Sequence, residues 1–333
     1  MDHTAVAAAC MNGANPSLDI AASGHAYSIV AIDTVNQTVS FRNPWYSGTV
    51  LKTLSYANFC TYFQRIDYVD LSSNNQYLLA TNNGDTLTSG VGNDMLYGGT
   101  GSDSLSGLTG NDVLYGYAGN DFLNGGANDD TMYGGLGDDI LCVNTVGDVV
   151  VENYNEGIDT VNTSISYTLG SNVENMRLTG AENLNGTGNT LNNILTGNLG
   201  NNTLSGLGGN DTYVINQTGG RDVIVDSSGT NDILSFGSGI LKQDIALFAS
   251  GTSLVLDYKN GNQVTIQNQV NGASAIEKIQ LSDNSYISNN IINTLIQQMA
   301  AYATGNGIQL TSADAVRSDN YLNNLVMSAW QTA

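Results

Sequence analysis

Between residues 82 and 142 the chain repeats one arrangement of glycine, polar and apolar positions every nine residues, over seven units. Each unit places an aspartate after its glycines and an aliphatic residue or methionine two positions later. The aspartates are Asp85, Asp94, Asp103, Asp112, Asp121, Asp130 and Asp139, and the apolar residues are Leu87, Leu96, Leu105, Leu114, Leu123, Met132 and Leu141. Because a solvated Gly/Asp-rich linker needs no leucine in register, this periodicity predicts a β-solenoid.

The local chemistry predicts how each unit folds. Glycine permits a tight, partly left-handed turn, and the Asp-x-Leu-x stretch predicts a strand of about three residues with its apolar side chain pointing inward. Two units, or 18 residues, then make one coil with a strand on each face. The 18-residue spacing also predicts a tyrosine stack on one face, formed by Tyr97, Tyr115 and Tyr133. On the opposite face the same position of the repeat is occupied by Ser106, Asn124 and Cys142.

This coil predicts two rows of aspartates, one along each edge. Asp94, Asp112 and Asp130 form one row, and Asp85, Asp103, Asp121 and Asp139 form the other. Neighbouring strands lie about 4.8 Å apart and calcium–oxygen bonds measure about 2.3–2.6 Å, so a calcium ion fits between successive aspartates, with glycine carbonyls completing its shell. Without the ion, stacked carboxylates repel by about 1–3.5 kcal/mol per pair. The seven aspartates are therefore predicted to bind several calcium ions, and calcium to drive folding.

The unit pattern, GGxGxDxUx, resembles the calcium-binding nonapeptide of the repeats-in-toxin (RTX, haemolysin-type) family. The resemblance implies a parallel β-roll that binds calcium. It also implies a secreted, extracellular protein that passes through the type I secretion machinery by means of an uncleaved C-terminal signal.

A second, weaker array follows the first. The segments DVVVENYNEGIDTV, from Asp148, and DVIVDSSGTNDIL, from Asp222, indicate a duplicated module. Between them the nonapeptide register returns, but the ligand positions are occupied by Asn193, Asn202 and Asp211. Asparagine offers only a neutral carbonyl oxygen, so calcium is expected to bind weakly there or not at all. Asn202 and Asp211 are the weak metal candidates, and Leu195 and Leu204 are predicted to hold this stretch together.

The last hundred residues combine strands and helices. The stretch DILSFGSGILKQDIALFASGTSLVLDY and the following NQVTIQNQV predict hairpin-forming strands around Gly and Asn turns, and they resemble a haemolysin-related domain. Beyond Asn289 the apolar spacing predicts one helix, and a second is predicted to begin near Ser312. These helices can carry the secretion signal and also cap the end of the solenoid.

The first 72 residues have a different character, with few glycines. The stretches GHAYSIVAID and TVSFRNPW, which contain the motifs GHAYSIV and FRNPW, both predict strands and would place His25 and Asn43 at neighbouring strand starts. Both motifs are similar to those of calpain-type cysteine peptidases. The resemblance implies a Cys-His-Asn triad in which His25 takes the thiol proton and later donates it to the leaving amine. Asn43 would fix the ring's tautomer, and Trp45 would shield their hydrogen bond from water.

The expected nucleophile is absent from this sequence. In that family the cysteine lies upstream in a GxCW-type segment, which is not found here. Cys10 is too close to His25, Cys60 and Cys142 lie on the wrong side of it, and Tyr46 replaces the glycine of the family's RNPWG motif. The chain is therefore expected to be the C-terminal portion of a larger peptidase, truncated or decayed, and to be inactive alone.

Composition narrows the possible partners. The formal net charge is -21, and no Lys or Arg occurs between Arg65 and Arg177, which disfavours nucleic-acid binding. The three cysteines form no CxxC pair, so neither a disulfide framework nor a zinc site is expected. No apolar run is long enough for a transmembrane segment, and the N-terminus lacks the basic region of a signal peptide.

The expected fold is mainly β, with a parallel β-roll between a partial calpain-like β module and a C-terminal β/helical secretion-type region. The expected segments are 1–72 (peptidase-like), 80–143 (calcium-binding roll), 144–187 (connecting module), 188–234 (Asn-substituted array), 235–288 (haemolysin-related β domain) and 289–333 (helical signal region).

Two functions remain open on the sequence alone. One is a secreted calcium-binding portion of a calpain-like, calcium-dependent cysteine endopeptidase, which would act on a peptide substrate together with the missing upstream half. The other is a non-catalytic secreted calcium-binding module that serves export, folding or adhesion. Whether this chain is an enzyme stays undecided at this stage.

Overall fold

The computed structural model describes residues 8–11, 28–33, 38–42, 52–55, 63–70, 75–80, 84–271 and 276–332. The chain divides into two compact units, residues 1–160 and 161–333. The fold is mainly β with helices near the C-terminus, as the sequence predicts.

The described strands of the first unit follow the chain in fourteen segments. They are β1 (Ala8–Met11), β2 (Ser28–Asp33), β3 (Thr38–Arg42), β4 (Lys52–Ser55), β5 (Phe63–Asp70), β6 (Asn75–Leu79), β7 (Thr86–Thr88), β8 (Met95–Thr100), β9 (Ser104–Thr109), β10 (Val113–Ala118), β11 (Phe122–Ala127), β12 (Thr131–Leu136), β13 (Ile140–Val143) and β14 (Val149–Val151).

The strands before the repeats pair in antiparallel fashion. Strand β3 pairs with β2 and β4, and β5 pairs with β1 and β6. The predicted strands at GHAYSIVAID and TVSFRNPW are confirmed over their described residues by β2 and β3. Their register places Ser28 opposite Arg42. Strand β3 ends at Arg42. His25 and Asn43, which the sequence predicts at neighbouring strand starts, lie outside the described residues.

The nonapeptides form a parallel roll with two stacks of strands. One stack runs β6-β8-β10-β12-β14, and the other contains β7, β9, β11 and β13. Leu114 lies opposite Leu96 and Met132, each 18 positions away, so one coil contains two repeats as predicted. All seven repeat apolar side chains are fully buried. Packed leucines at a fixed spacing therefore form the core of the roll.

Strands β8 to β12 have six residues each and are longer than the sequence predicted, whereas β7 has the predicted three. Strand β10 has six residues, and its pairing with β12 continues through Tyr117 opposite Gly135 and Ala118 opposite Leu136. The turn of one coil stacks on the turn of the next, so backbone hydrogen bonds extend past the short Asp-x-Leu-x stretch. Left-handed backbone is required at the position of Tyr117, where φ is 72°.

The tyrosine stack is confirmed. The ring centroids of Tyr97 and Tyr115 lie 5.1 Å apart, and those of Tyr115 and Tyr133 lie 4.7 Å apart, with nearly parallel planes. On the other face Asn124 lies opposite Ser106 and Cys142, as the 18-residue period predicts.

The second unit carries the remaining strands. They are β15 (Thr160–Thr163), β16 (Tyr167–Thr168), β17 (Asn175–Leu178), β18 (Asn185–Thr187), β19 (Ile194–Thr196), β20 (Thr203–Ser205), β21 (Thr212–Ile215), β22 (Arg221–Val225), β23 (Ile233–Phe236), β24 (Ala246–Ser250), β25 (Ser253–Tyr258), β26 (Asn262–Ile266), β27 (Lys278–Gln280) and β28 (Tyr286–Ser288). Short 3-10 helices occupy Lys242–Asp244, Lys259–Gly261 and Gln269–Asn271.

This unit also has two stacks of parallel strands. One runs β17-β19-β21-β23-β27 and ends on β28, and the other runs β16-β18-β20-β22-β26 and ends on β25 and β24. Leu195 and Leu204 are fully buried, as predicted. The predicted hairpins exist at β24–β25 and β25–β26. Strand β23 is a correction, because it pairs in parallel with β21 and places Leu234 opposite Tyr213 as another layer of the solenoid.

Three helices complete the second unit: α1 (Asn289–Asn306), α2 (Ala313–Ser318) and α3 (Asn320–Ser328). The predicted second helix is thus broken in two. Asp319 causes the break because its side-chain Oδ1 accepts hydrogen bonds from the N–H groups of Tyr321 and Leu322, which caps α3. The apolar faces of α1 and α3 are buried, including Ile292 and Leu322. Within the described residues, no helix is both long and apolar enough to cross a membrane.

Candidate calcium sites in the repeats

The structure places the predicted aspartates in two rows, connected by hydrogen bonds between successive coils. The N–H of Asp94 donates to Oδ1 of Asp112 at 2.8 Å, and the N–H of Asp112 donates to Oδ1 of Asp130 at 2.8 Å. In the other row the N–H of Asp85 donates to Oδ1 of Asp103, that of Asp103 to Oδ1 of Asp121, and that of Asp121 to Oδ1 of Asp139. One carboxylate oxygen of each acceptor aspartate therefore fixes the side chain against the preceding coil.

The second carboxylate oxygen has no hydrogen-bond partner in five of these residues. The unpartnered atoms, counted over the described residues, are Oδ2 of Asp103, Asp112, Asp121, Asp130 and Asp139. These residues are at most 3% exposed. A buried carboxylate oxygen without a donor is costly, because it loses hydration and gains nothing in return. A cation at each Oδ2 would remove that cost.

The glycine turns pass close to these oxygens. A Cβ atom on Gly98 would lie 2.7 Å from Oδ2 of Asp103 and 2.7 Å from the carbonyl oxygen of Gly116, one coil further on. Gly107 and Gly116 have the equivalent neighbours, and there a Cβ would overlap the Oδ2 atom. Each turn thus brings a carboxylate oxygen and a glycine carbonyl oxygen to one small space. Oxygen-only ligands of this kind suit calcium.

Burial also changes the acidity of the rows. It raises the pKa of Asp103, Asp130 and Asp139 to about 7 and that of Asp112 to about 6, against the lowering effect of the main-chain hydrogen bonds. Neighbouring aspartates add repulsion in the same direction. The metal-free rows therefore resist carrying their full negative charge.

The two residues at the start of the rows differ from the others. Oδ2 of Asp94 accepts a hydrogen bond from the N–H of Gly90 at 3.3 Å, although the residue is buried. Asp85 is only half-buried. Both stay predicted calcium ligands, but their surroundings are less complete than those of the five inner aspartates.

Sequence reasoning missed the carboxylates that continue the rows. Oδ1 of Asp148 accepts from the N–H of Asp130 at 3.0 Å, and Oδ1 of Asp159 accepts from the N–H of Asp139 at 2.9 Å. Glu152 is buried as well and accepts hydrogen bonds from the N–H groups of Gly134 and Gly135. The signal was present in DVVVENYNEGIDTV, whose acidic positions were interpreted only as a duplication.

These additional groups form an acidic cluster. Asp139, Glu152 and Asp159 each bring one carboxylate oxygen within 4.8 Å of the others. Burial, together with the nearby Asp159, raises the pKa of Glu152 to about 8. The cluster has the hard oxygen ligands of a calcium site.

The second array satisfies its ligand positions differently. Nδ2 of Asn202 donates to the carbonyl oxygen of Leu184 at 3.2 Å and to Oδ1 of Asn198 at 2.8 Å, and its Oδ1 accepts from the N–H of Asn198. Nδ2 of Asn193 likewise donates to the carbonyl oxygen of Glu174 at 3.0 Å. Here the amide NH₂ provides the donor that the aspartate positions lack.

The sequence comparison identifies the repeats. The profile described as the RTX calcium-binding nonapeptide repeat matches residues 79–114, 106–141 and 187–214. These segments are RTX calcium-binding repeats. RTX nonapeptide repeats bind Ca²⁺, and the buried acidic clusters of this chain provide oxygen ligands for it. All seven predicted aspartates lie inside the matched residues.

Comparison with whole proteins adds little beyond the repeats. No curated protein sequence matches this chain. The crystal structure of the extracellular lipase LipA from Serratia marcescens is similar over 63% of this chain and 43% of that chain, with 16% sequence identity and a TM-score of 0.29. The chain thus spans less than half of that lipase, and a likeness of this size carries no argument about activity.

The predicted peptidase residues are not placed by the structure. His25, Asn43 and Trp45 lie outside the described residues. Cys142, in the roll, is a free thiol whose pKa is raised by burial, so it lacks the activation of a catalytic cysteine. No comparison supports a calpain-like origin, and that resemblance stays a prediction from two short motifs.

Proposed function

We propose that this chain is a secreted calcium-binding protein whose β-roll folds when calcium occupies the aspartate rows. The observation that carries the proposal is the set of buried Oδ2 atoms without hydrogen-bond partners at Asp103, Asp112, Asp121, Asp130 and Asp139. Each lies beside a glycine of a turn, and the seven repeat aspartates are the proposed ligands.

Charge explains why calcium would control folding. The first array contains no lysine or arginine, so its carboxylates have no cationic side chain of their own array to neutralise them. A divalent ion bound between coils would replace repulsion by attraction and join strands that are 18 residues apart. In the calcium-poor cytosol the roll would then stay unfolded, and it would fold on reaching calcium outside the cell.

Export before folding fits this scheme. RTX repeat proteins are typically secreted, and an unfolded chain passes through a narrow channel more readily than a folded solenoid. We assign the export signal to residues 289–333. These residues would have to be accessible during transport for the type I secretion machinery to recognise them. A fusion of residues 289–333 to a reporter protein, compared with the same reporter alone in a type I secreting host, tests this assignment.

The folding proposal is tested with the full chain in chelator. Addition of calcium at about 0.1–1 mM should raise the β-sheet signal in far-UV circular dichroism, and excess EDTA should reverse it. Magnesium at the same concentration is the control, because it demands near-octahedral geometry and gives up its bound water reluctantly, so a site formed mainly by protein oxygens favours calcium. An unchanged spectrum and melting temperature in EDTA would exclude the proposal.

A second candidate function is the peptidase one, favoured by a single backbone observation. The pairing of Ser28 with Arg42 brings the start of β2 and the end of β3 to the same end of one hairpin. His25 precedes the first and Asn43 follows the second in sequence. A calpain-like general base and its orienting amide would need this proximity.

The peptidase candidate has a direct test. The full reading frame, including any sequence upstream of Met1, should be assayed on a peptide substrate as wild type and as His25→Ala. Loss of cleavage in the variant would support a catalytic His25. Equal rates, or no cleavage by either protein, would leave the non-catalytic calcium module as the function.

A further inference from the structure

The second array contains a cluster of three carboxylates beyond its last nonapeptide. Asp211, Asp226 and Asp232 each bring one carboxylate oxygen within 4.8 Å of the others. Asp226 and Asp232 lie outside the residues matched by the RTX profile. The cluster stands at the position where the asparagine-substituted layers of the array end.

These carboxylates are buried and incompletely bonded. Asp211, Asp226 and Asp232 are 0%, 6% and 1% exposed. The Oδ2 atom of each has no hydrogen-bond partner anywhere in the described chain. Three buried anionic oxygens at this spacing repel each other strongly, and a folded protein leaves such a group without a donor only where a cation or a shared proton compensates.

The surrounding residues fix the position of the carboxylates, and two glycines pass close to them. The N–H of Asp211 donates to Oδ1 of Asp232 at 2.7 Å, and the hydroxyl of Tyr213 donates to Oδ1 of Asp226 at 2.9 Å. Oδ2 of Asp211 borders the Cα of Gly206, and Oδ2 of Asp232 borders that of Gly229, so closely that a Cβ on either glycine would overlap it.

No basic side chain neutralises the cluster. The ion pairs recorded for the described residues of the second unit are Lys259–Asp244 and Arg317–Asp257, and neither involves these three aspartates. The nearby Glu277 adds further negative charge, because its Oε2 accepts a hydrogen bond from the N–H of Asp232 at 2.7 Å. A cation from solution would balance this local negative charge.

We infer that Asp211, Asp226 and Asp232 bind one calcium ion, and that the asparagine layers before them bind none. The inference rests on the proposed calcium-binding function and adds a site to it. Carboxylate and carbonyl oxygens without histidine or cysteine select a hard cation, and a buried site with few places for water favours calcium over magnesium. The second array then has hydrogen-bonded asparagine layers closed by one metal-bound layer.

The first unit contains a matching arrangement, which supports the assignment. Its cluster of Asp139, Glu152 and Asp159 also follows the last nonapeptide of an array. In both clusters the N–H of the repeat aspartate donates to the last carboxylate, over 20 residues in the first unit and 21 in the second. The duplication seen in the sequence thus reproduces a three-carboxylate group.

The test counts bound ions in the full chain. Equilibrium dialysis with radioactive calcium should give one ion fewer for the Asp226→Asn/Asp232→Asn double variant than for the wild type. Asp314→Asn removes an exposed carboxylate of the same unit and is the matched control, which should keep the wild-type number. An unchanged number in the double variant overturns the inference.

Melting temperatures separate loss of an ion from loss of structure. In EDTA the double variant should be at least as stable as the wild type, because two buried negative charges are gone, whereas in calcium it should be less stable. A variant that is destabilised equally in both conditions contradicts a metal role. If the wild type binds no calcium at all, the proposed function itself fails, and the two failures are thereby distinguished.

Crystals of the wild type provide a measurement that is independent of variant folding. Anomalous diffraction from protein crystallised with terbium in place of calcium should show a peak between Asp211, Asp226 and Asp232. It should show none beside Asn193 or Asn202. A cluster without a peak, in crystals whose first array is occupied, would indicate that the carboxylates share protons and would overturn the inference.

Discussion

The main-chain N–H of Asp112 donates to Oδ1 of Asp130, 18 residues later, at 2.8 Å. The same contact leaves Oδ2 of Asp130 buried and without a partner among the described residues. One oxygen of the carboxylate thus fixes the register between coils, and the other is available for a metal ion. A residue that does both connects folding of the roll to calcium.

Replacement of Asp112 by Asn should separate these two roles. The Asn side chain keeps an oxygen for the N–H of Asp94, but it puts an NH₂ group where Oδ2 stands, so it cannot bind calcium there. Because Asp112 would serve two neighbouring coils, we expect the calcium midpoint of folding to rise about tenfold or more, equivalent to about 1.4 kcal/mol or more. Circular dichroism during calcium titration measures this midpoint.

Asp129→Asn is the control for that variant. Asp129 carries the same charge but is exposed, and it lies one position before Asp130, outside the row of ligand positions. Its replacement should leave the midpoint nearly unchanged. An equal shift in both variants would mean that overall charge, and not a specific ligand, controls folding.

Conversion of Asn202 to Asp should make a metal-independent layer dependent on calcium. The new oxygen would face the carbonyl oxygen of Leu184 and Oδ1 of Asn198, which now accept hydrogen bonds from Nδ2. In EDTA this should cost about 1–3 kcal/mol, the usual penalty of an unsatisfied buried polar group, and calcium should offset it. Thermal unfolding with and without calcium measures both effects.

Asn201→Asp is the matched control, since it adds the same charge at an exposed position whose Oδ1 still accepts from the N–H of Arg221. It should be close to neutral in both conditions. If Asn202→Asp has the stability of the wild type in EDTA, the amide hydrogen bonds do not explain why this array lacks aspartates.

The leucine core should contribute independently of the metal. Leu114 is fully buried between Leu96 and Met132, so Leu114→Ala should lower the free energy of unfolding in saturating calcium by about 2–5 kcal/mol. Leu108 is 46% exposed, so Leu108→Ala should change the free energy of unfolding by no more than about 0.5 kcal/mol. Urea unfolding measures both. Similar losses would contradict a core formed by the inward leucines.

The pH dependence of the metal-free chain should be opposite to that of ordinary acid unfolding. Burial raises the pKa of Asp103, Asp130 and Asp139 to about 7, above the ordinary value of 3.8 that applies when the chain is unfolded. Protonation therefore favours the folded roll, and this contribution is complete below about pH 4 and lost as the pH rises through about 7.

Circular dichroism in EDTA should accordingly show more β structure at pH 4.5 than at pH 8. Asp103→Asn/Asp130→Asn/Asp139→Asn, which removes three of the groups with a raised pKa, should weaken the dependence. With calcium present the order reverses, because protons compete with the ion for the same oxygens. Greater order at pH 8 than at pH 4.5 in EDTA would contradict the raised pKa values.

The sequence by itself determined the parts of this protein that repeat. The nine-residue register of Asp112 and Leu114 fixes which side chains lie inside and which line the edge, because each coil copies the last. For the same reason the stack of Tyr97, Tyr115 and Tyr133 could be predicted before any coordinates. Regular spacing converts sequence distance directly into spatial distance.

Only the tertiary structure decided what happens where the period breaks. Asp226 and Asp232 approach Asp211 through segments of irregular length, and no fixed spacing predicts where such segments return. The bonding of Asn202 also depends on a carbonyl group contributed from an earlier coil. Loop geometry and side-chain pairing across coils arise from packing of the whole unit. The inferred calcium site of the second array and the metal-independent asparagine layers therefore became visible only in three dimensions.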